Sequence, residues 1–297
     1  MKRFSLRKGL DVPIQGEPKA EIQANSNVKT VGILGDDYIS LKPRILVAEG
    51  DLVGAGTPVM FDKDTPEAQI VSPVSGQIKA INRGARRKLI SIEIEVNEGT
   101  APVDFSGVGN ADTAEGLVER LCAAGLWTSF RTRPYSKVPA PASRPTAIFV
   151  NAMETEPLAA DPAGIIAADA DAFAKGLAAI TLLTDGATYL CQADGADIPG
   201  ADLPGVEAAA FAGPHPAGLP GTHIHFLHPP KADQAVWTIG YHDVIVIGRL
   251  LLTGTLDTSR VISLAGPVCK EPRLVKTVAG ASMADLVAAD LPQDLPV

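Results

Sequence analysis

The sequence predicts a multidomain α+β chain with four parts: an extended leader (1–30), a small β domain (31–100), an α/β domain (101–255) and a short strand-and-helix unit (256–297). Three observations predict it. Between Val31 and Val96 short apolar runs alternate with Gly-containing turns, the pattern of a compact all-β unit. From Thr146 onward the pattern becomes strand, Ala-rich helix, strand, which implies a parallel sheet with right-handed crossovers. The last unit, from Arg260, is too small to bury a core alone.

Composition sets the outer limits. The 297 residues are 46% hydrophobic and 20% charged, ordinary for a folded chain. A formal net charge of −8 argues against nucleic acid as a partner. The basic amino terminus is not followed by an apolar run, so it does not read as a signal peptide. The longest apolar run, residues 244–252, is too short for a membrane span and contains Arg249. Moving an ion across a bilayer needs ionisable groups inside a membrane span, so this chain is not expected to carry one. Cys122, Cys191 and Cys269 are widely separated and lack any Cys-x-x-Cys pair, which fits reduced thiols and gives no ordinary iron–sulfur site.

Taken in order, the leader is punctuated by Pro13, Gly16 and Pro18 and shows no helical period. Strands are expected at 31–34, 45–47, 58–61, 69–71, 77–81 and 89–96. The run from Val47 to Val59, then a hairpin, then Val71 to Ile81, resembles the biotinyl/lipoyl barrel-sandwich fold. In that family a Lys on the hairpin carries the prosthetic group. Lys63 stands there without the usual flanking Met, so the scaffold reads as one reused for docking. Thr113 caps a helix over 113–124 that Gly125 ends.

The segment 126–142 combines Trp127, Phe130 and Tyr135 with Arg131, Arg133 and Lys137. Those types together suit an anionic or planar ligand, or an interface. The competing reading is a surface loop whose cations pair with nearby acids. A strand over 146–152 places Asn151 at its carboxyl end, where open α/β sheets hold ligands. Pro162 opens one long helix running to about Leu183. Strands follow at 188–192 and 206–211, and a strand is expected at 237–239. Residues 243–253 fit helix or buried strand, their β-branched content favouring strand. Strands at 260–265 and 272–278 and a helix at 283–289 close the chain.

Between the strands lies a stiff loop, Gly213-Pro-His-Pro-Ala-Gly-Leu-Pro-Gly221, followed by alternating Thr222, His223, Ile224, His225 and Phe226. Alternation predicts a strand with both imidazoles on one face. Gly213, Gly218 and Gly221 do not have the spacing of a dinucleotide fingerprint, and no phosphate-loop ending is present. His215, His223, His225 and His228 raise a zinc reading, but no acid or Cys lies at a ligand spacing, so hydrogen bonds to backbone carbonyls are favoured and no metal is expected. Asp185-Gly-Ala-Thr188 matches a short covalent-flavin signature but equally an ordinary turn, which is preferred.

Residues 8–14, 125–139, 149–153, 157–162 and 213–226 together resemble the NqrA subunits of the sodium-translocating NADH:quinone reductases, and the resemblance covers nearly the whole chain. It implies a peripheral, cytoplasmic subunit of a bacterial inner-membrane translocase whose complex uses NADH, FAD, FMN, riboflavin, iron–sulfur and ubiquinone, with no cofactor bound by this subunit itself. The implied partners are the other Nqr subunits, above all the membrane subunit NqrB, with ubiquinone a candidate ligand. It also implies an α/β domain similar to the flavin- and NADH-binding domain of respiratory complex I and, from Val261, the start of a β-grasp (SLBB-like) domain. Family members continue past residue 297, so an amino-terminal part is expected. The implied role is assembly and the step from ubisemiquinone to ubiquinol, with the isolated chain inactive and no catalytic residue of its own. A flavin- or nucleotide-binding subunit, a quinone-binding module in its own right and a carrier through Lys63 are the alternatives. The ligand candidates are Trp127, Phe130, Arg131, Arg133, Tyr135, Lys137, Asn151, Gly213, His215, Gly218, Gly221, His223 and His225.

Overall fold

A computed structural model describes residues 1–24, 27–232, 234–288 and 290. The strands begin with β1 (Lys2–Ser5), β2 (Lys19–Ala24), β3 (Thr30–Leu34), β4 (Pro43–Ile45), β5 (Leu52–Val53), β6 (Pro58–Asp62), β7 (Thr65–Val71), β8 (Gly76–Arg83) and β9 (Leu89–Val96). After helix α1 (Ala114–Ala123) come β10 (Arg131–Arg133) and β11 (Ala147–Ala152), then α2 (Pro162–Ala168) and α3 (Ala170–Ile180). The chain continues through β12 (Ala187–Ala193), β13 (Val206–Ala212), α4 (Pro220–Leu227), β14 (Val236–Gly240), α5 (Tyr241–Thr253), β15 (Ser259–Leu264), β16 (Arg273–Val278) and α6 (Met283–Val287). The end of the predicted last helix, residue 289, lies outside the described residues. Two compact units divide the chain: residues 1–12, 104–157 and 161–254 form one, and 13–103, 158–160 and 255 onward form the other.

In the second unit, β3, β9, β8 and β5 form one antiparallel sheet and β4, β6 and β7 another. Their inner positions alternate, so Val31, Ile33, Val59, Met60, Ile70, Ile78, Ile92 and Ile94 make a closed apolar core. This is a barrel-sandwich. Asp62 pairs with Thr65, leaving the exposed Lys63 on the two-residue hairpin tip. The leader supplies β2, which lies parallel to β16 while β15 pairs with β16 on its other side. Asp285 accepts hydrogen bonds from the backbone N–H groups of Lys29 (2.9 Å) and Thr30 (3.0 Å), tying α6 to the start of β3.

In the first unit the leader also supplies β1. The sheet order is β1-β13-β12-β11-β14-β10, parallel except for β10, which runs antiparallel to β14. Helix α3 packs on α5 at very close range. A Cβ on Gly248 would strike the Ala172 carbonyl, and one on Gly176 the Val244 carbonyl.

Three sequence expectations change here. Residues 222–226 are helical, within α4, not a strand. Five alternating residues are too few to fix a period, and Pro220 suits the first helical turn. The buried positions His223 and Ile224, with half-buried Leu227, fall on one helical face. Residues 241–253 are the helix α5, closed by Gly254 in the left-handed region (φ 77°) with its N–H on the Leu250 carbonyl. The helix penalty of β-branched residues is a fraction of a kcal/mol each, small beside the burial of Val244 to Ile247. The single helix expected from Pro162 is broken at Asp169 (φ −131°), whose carboxylate takes the Arg249 guanidinium at 2.6 Å instead of capping α3.

Candidate functional site

The strand order turns back on itself between β11 and β14, so the carboxyl ends of these strands form the crevice where such sheets hold ligands. Loop 213–219 leaves β13 at this same end and reaches across to β11. There it is packed by the chain's own groups. The Asn151 amide donates to the Gly218 carbonyl (3.0 Å), and the Thr155 hydroxyl accepts from the Gly218 N–H (2.9 Å). The same hydroxyl hydrogen-bonds with His215 Nδ1 at 3.1 Å, the donor being set by the imidazole tautomer. A Cβ on Gly218 would lie 2.7 Å from the Thr155 nitrogen, so the contact needs glycine. The leader closes the other side: Leu6 and Leu10 donate backbone N–H to the carbonyls of Ala212 and His215, and Asp11 accepts from the His215 N–H at 3.2 Å. Gly213 (φ 110°) makes the turn against Leu6, which a side chain would block.

His223 is fully buried. It pairs with the Ala217 carbonyl through Nε2 (2.8 Å) and lies against the Phe211 ring with centroids 4.3 Å apart. Burial pushes its pKa down to about 4, against a smaller upward pull from the Ala217 bond. The ring is therefore neutral, with Nε2 carrying the proton toward Ala217 and Nδ1 left without a partner. His225 is exposed on the other face of α4, so the two imidazoles do not share a face. His228 meets the Thr146 hydroxyl at 3.2 Å, before β11 begins. The four histidines are thus dispersed, and among the described residues no three His, Cys, Asp or Glu gather as a metal site. Thr188, of the flavin-like signature, is fully buried inside β12. Burial holds the Cys191 thiol well above its usual range, in its protonated form.

The aromatic and basic candidates lie elsewhere. Because β10 is antiparallel, Arg133 pairs with Val236 at the start of β14, so the turn after it leaves the sheet at its amino end. Asn151 pairs with Gly240 at the opposite end. The length of β14 separates the two ends, on the order of 15 Å. The expected ligand residues are therefore two groups.

Trp127 and Phe130, expected to face a ligand, are interior. With Trp237 they form an aromatic cluster whose centroids lie 5.4 to 5.7 Å apart, and Trp127 Nε1 donates to the Pro139 carbonyl at 2.8 Å. Arg131 folds back onto the carbonyls of Thr128 and Phe130. What the turn presents is Tyr135, 76% exposed, and exposed Lys137, beside half-buried Arg133. Residue type suggested the loop, but the split between its interior and exposed members depends on the β10–β14 pairing.

Among the described residues no helix is long and apolar enough to cross a membrane. Family models match residues 4–97 (NqrA N-terminal barrel-sandwich hybrid domain), 112–256 (NqrA second alpha/beta domain) and 261–296 (NQRA C-terminal domain, the SLBB model). The chain is similar to the NqrA subunit of the Na(+)-translocating NADH-quinone reductase of Rhodopirellula baltica, 50% identical over 291 residues, covering 96% of this chain and 64% of the relative. Those of Pasteurella multocida and Klebsiella pneumoniae are 45% and 48% identical, each covering 97% of this chain and 65% of the relative. The chain thus spans somewhat less than two thirds of the relatives' lengths.

Proposed function

Because the chain belongs to the NqrA family, we propose that it serves as the NqrA subunit of a Na+-translocating NADH:quinone reductase, in the role of a peripheral cytoplasmic scaffold without a redox centre of its own. In this reading it supports assembly with the other subunits, the membrane subunit NqrB among them, and the quinone-reduction step. The observation that carries it is the filled crevice. Gly218, His215 and the leader occupy, with their own hydrogen bonds, the place where a nucleotide's phosphates would lie. Residues that satisfy one another do not fit a resident flavin or dinucleotide. The turn with Arg133, Tyr135 and Lys137 has free aromatic and cationic groups, and it is the docking face in this reading.

A direct test adds FMN and, separately, NADH to the purified chain in a calorimeter and records its absorption spectrum. No heat and no bound flavin are expected. Stoichiometric flavin would overturn the scaffold reading. One observation favours that alternative: Asn151 Oδ1 is buried without a partner at the crevice. Under it, FMN heat would appear and Asn151→Ala would abolish it.

A further inference from the structure

In the second unit, the hairpin joining β8 to β9 ends in the run Arg83-Gly-Ala-Arg-Arg-Lys88. Its cations, Arg83, Arg86, Arg87 and Lys88, are all exposed. Lys88 pairs with Asp36 in the short turn that follows β3, which fixes the hairpin tip beside residues 35–39. The Arg83 guanidinium donates to the Arg87 carbonyl at 3.2 Å and shapes the tip. The guanidinium groups of Arg86 and Arg87 have no hydrogen-bond or ion-pair partner among the described residues. Asp37 is the other acid of the adjoining turn, so the tip carries an excess of positive charge on a chain of net charge −8.

Large aliphatic side chains stand in water at the same place. Ile90 lies beside Gly84 of the tip and is 52% exposed. Leu34, paired with Ser91 at the end of β3, is 46% exposed, and Ile39, just past Asp37, is 52% exposed. Single exposed aliphatics are ordinary, but a group of them beside unpaired cations marks an interaction surface. A hairpin end projects from its sheets, and cations around aliphatic side chains there match anionic headgroups lying over an acyl layer. Nucleic acid or an acidic peptide would satisfy the cations and leave the aliphatics in water.

We propose that the β8–β9 tip docks on a bilayer surface rich in anionic phospholipid, with Arg86 and Arg87 on headgroup phosphates and Ile90 at the acyl boundary. This contact belongs to the second unit and uses none of the residues of the Tyr135 turn, so it stands whether or not that turn docks on other subunits.

The probe is a vesicle of phosphatidylglycerol and phosphatidylcholine in equal parts, co-sedimented at low salt with the full 297-residue chain. Binding is expected there and not on pure phosphatidylcholine. Arg86 and Arg87 have φ of 55° and 62°, which Asn adopts readily, so Arg86→Asn/Arg87→Asn removes both charges without straining the turn. Each cation at an anionic surface is worth about fivefold, so this variant should bind about twentyfold more weakly with an unchanged urea midpoint. Ile90→Ser should weaken binding about threefold. Parent chain that stays in the supernatant, or a double Asn variant that binds as the parent does, would overturn the proposal. So would Ile90→Ser with undiminished binding, which would leave charge alone at work. Duplex DNA or polyglutamate held more tightly than the vesicles, and lost in the double Asn variant, would reassign the tip to that partner.

Discussion

At the carboxyl end of the α/β sheet, residues 213–219 are tied by hydrogen bonds to β11, to the Thr155 loop and to the leader, and the buried imidazole of His223 secures the Ala217 carbonyl. At the amino end, the turn after Arg133 holds its shape with two backbone bonds between Thr132 and residues 136–137, and leaves Tyr135 and Lys137 in water. Both are short loops rich in residues that sequence reading associates with ligands. The difference lies in where their polar groups go. Groups already paired within the chain are structure, and groups left free are available for recognition. Substitutions at the first end should therefore change stability, and at the second they should change association alone.

The strongest challenge is Gly218→Val. The new side chain would overlap the Thr155 nitrogen and hydroxyl, which lie 2.7 and 2.8 Å from the position of a Cβ. Displacing Thr155 breaks its bonds to Gly218 and His215 together. A loss of about 3 kcal/mol is expected in urea unfolding. A loss below about 1 kcal/mol would mean that the loop yields easily, and the contrast with the Tyr135 turn would fail.

His223 should give the next largest effect, and its pH dependence fixes the cause. Its folded pKa of about 4 lies below the ordinary histidine value near 6.5, so the unfolded chain takes up a proton that the folded chain refuses. The associated stability is complete above about pH 6.5 and declines as pH falls toward 4, by about 3 kcal/mol. Urea midpoints measured over that window should fall for the parent and stay flatter for His223→Asn. At neutral pH that variant should lose about 2 kcal/mol, through the Phe211 contact and the Ala217 bond. The exposed His225→Asn should stay within about 0.5 kcal/mol. Equal effects from the two would return them to a shared role.

How much of this was legible in sequence differs by region. Most barrel-sandwich strands were, because Leu89 to Val96 and their partners alternate over enough residues to fix a face, but the strand expected at 45–47 lies at Pro43–Ile45 and the two-residue β5 is too short to show a period. The α/β elements were largely so, with errors where local pattern and long-range packing disagree. Residues 222–226 alternate like a strand, yet Pro220 and burial on a helical stripe make them α4. Asp169 splits the Ala-rich helix for a partner, Arg249, that lies 80 residues away. The candidate site was least legible. Whether Arg133 and Asn151 fall at one end of the sheet or at opposite ends depends on the antiparallel pairing of β10 with β14, which no local motif records. Similarly, Trp127 and Phe130 have the composition of a ligand platform and the position of a core.

The smallest stability effect carries the most functional information. Tyr135→Ala/Lys137→Ala removes side chains that make no hydrogen bond or ion pair of their own among the described residues, so stability should move by less than about 0.5 kcal/mol. If this turn is the docking face, the double variant should instead weaken retention in the purified complex severalfold, since an exposed aromatic and a cation have the composition of an interface anchor. Trp127→Phe is the necessary companion. It should loosen the turn from behind by breaking the Nε1 bond to Pro139, lowering both stability and retention. A double variant that is stable and fully retained would place docking elsewhere on the chain. One that lost stability as Gly218→Val does would show that the two ends of the sheet are not different in kind.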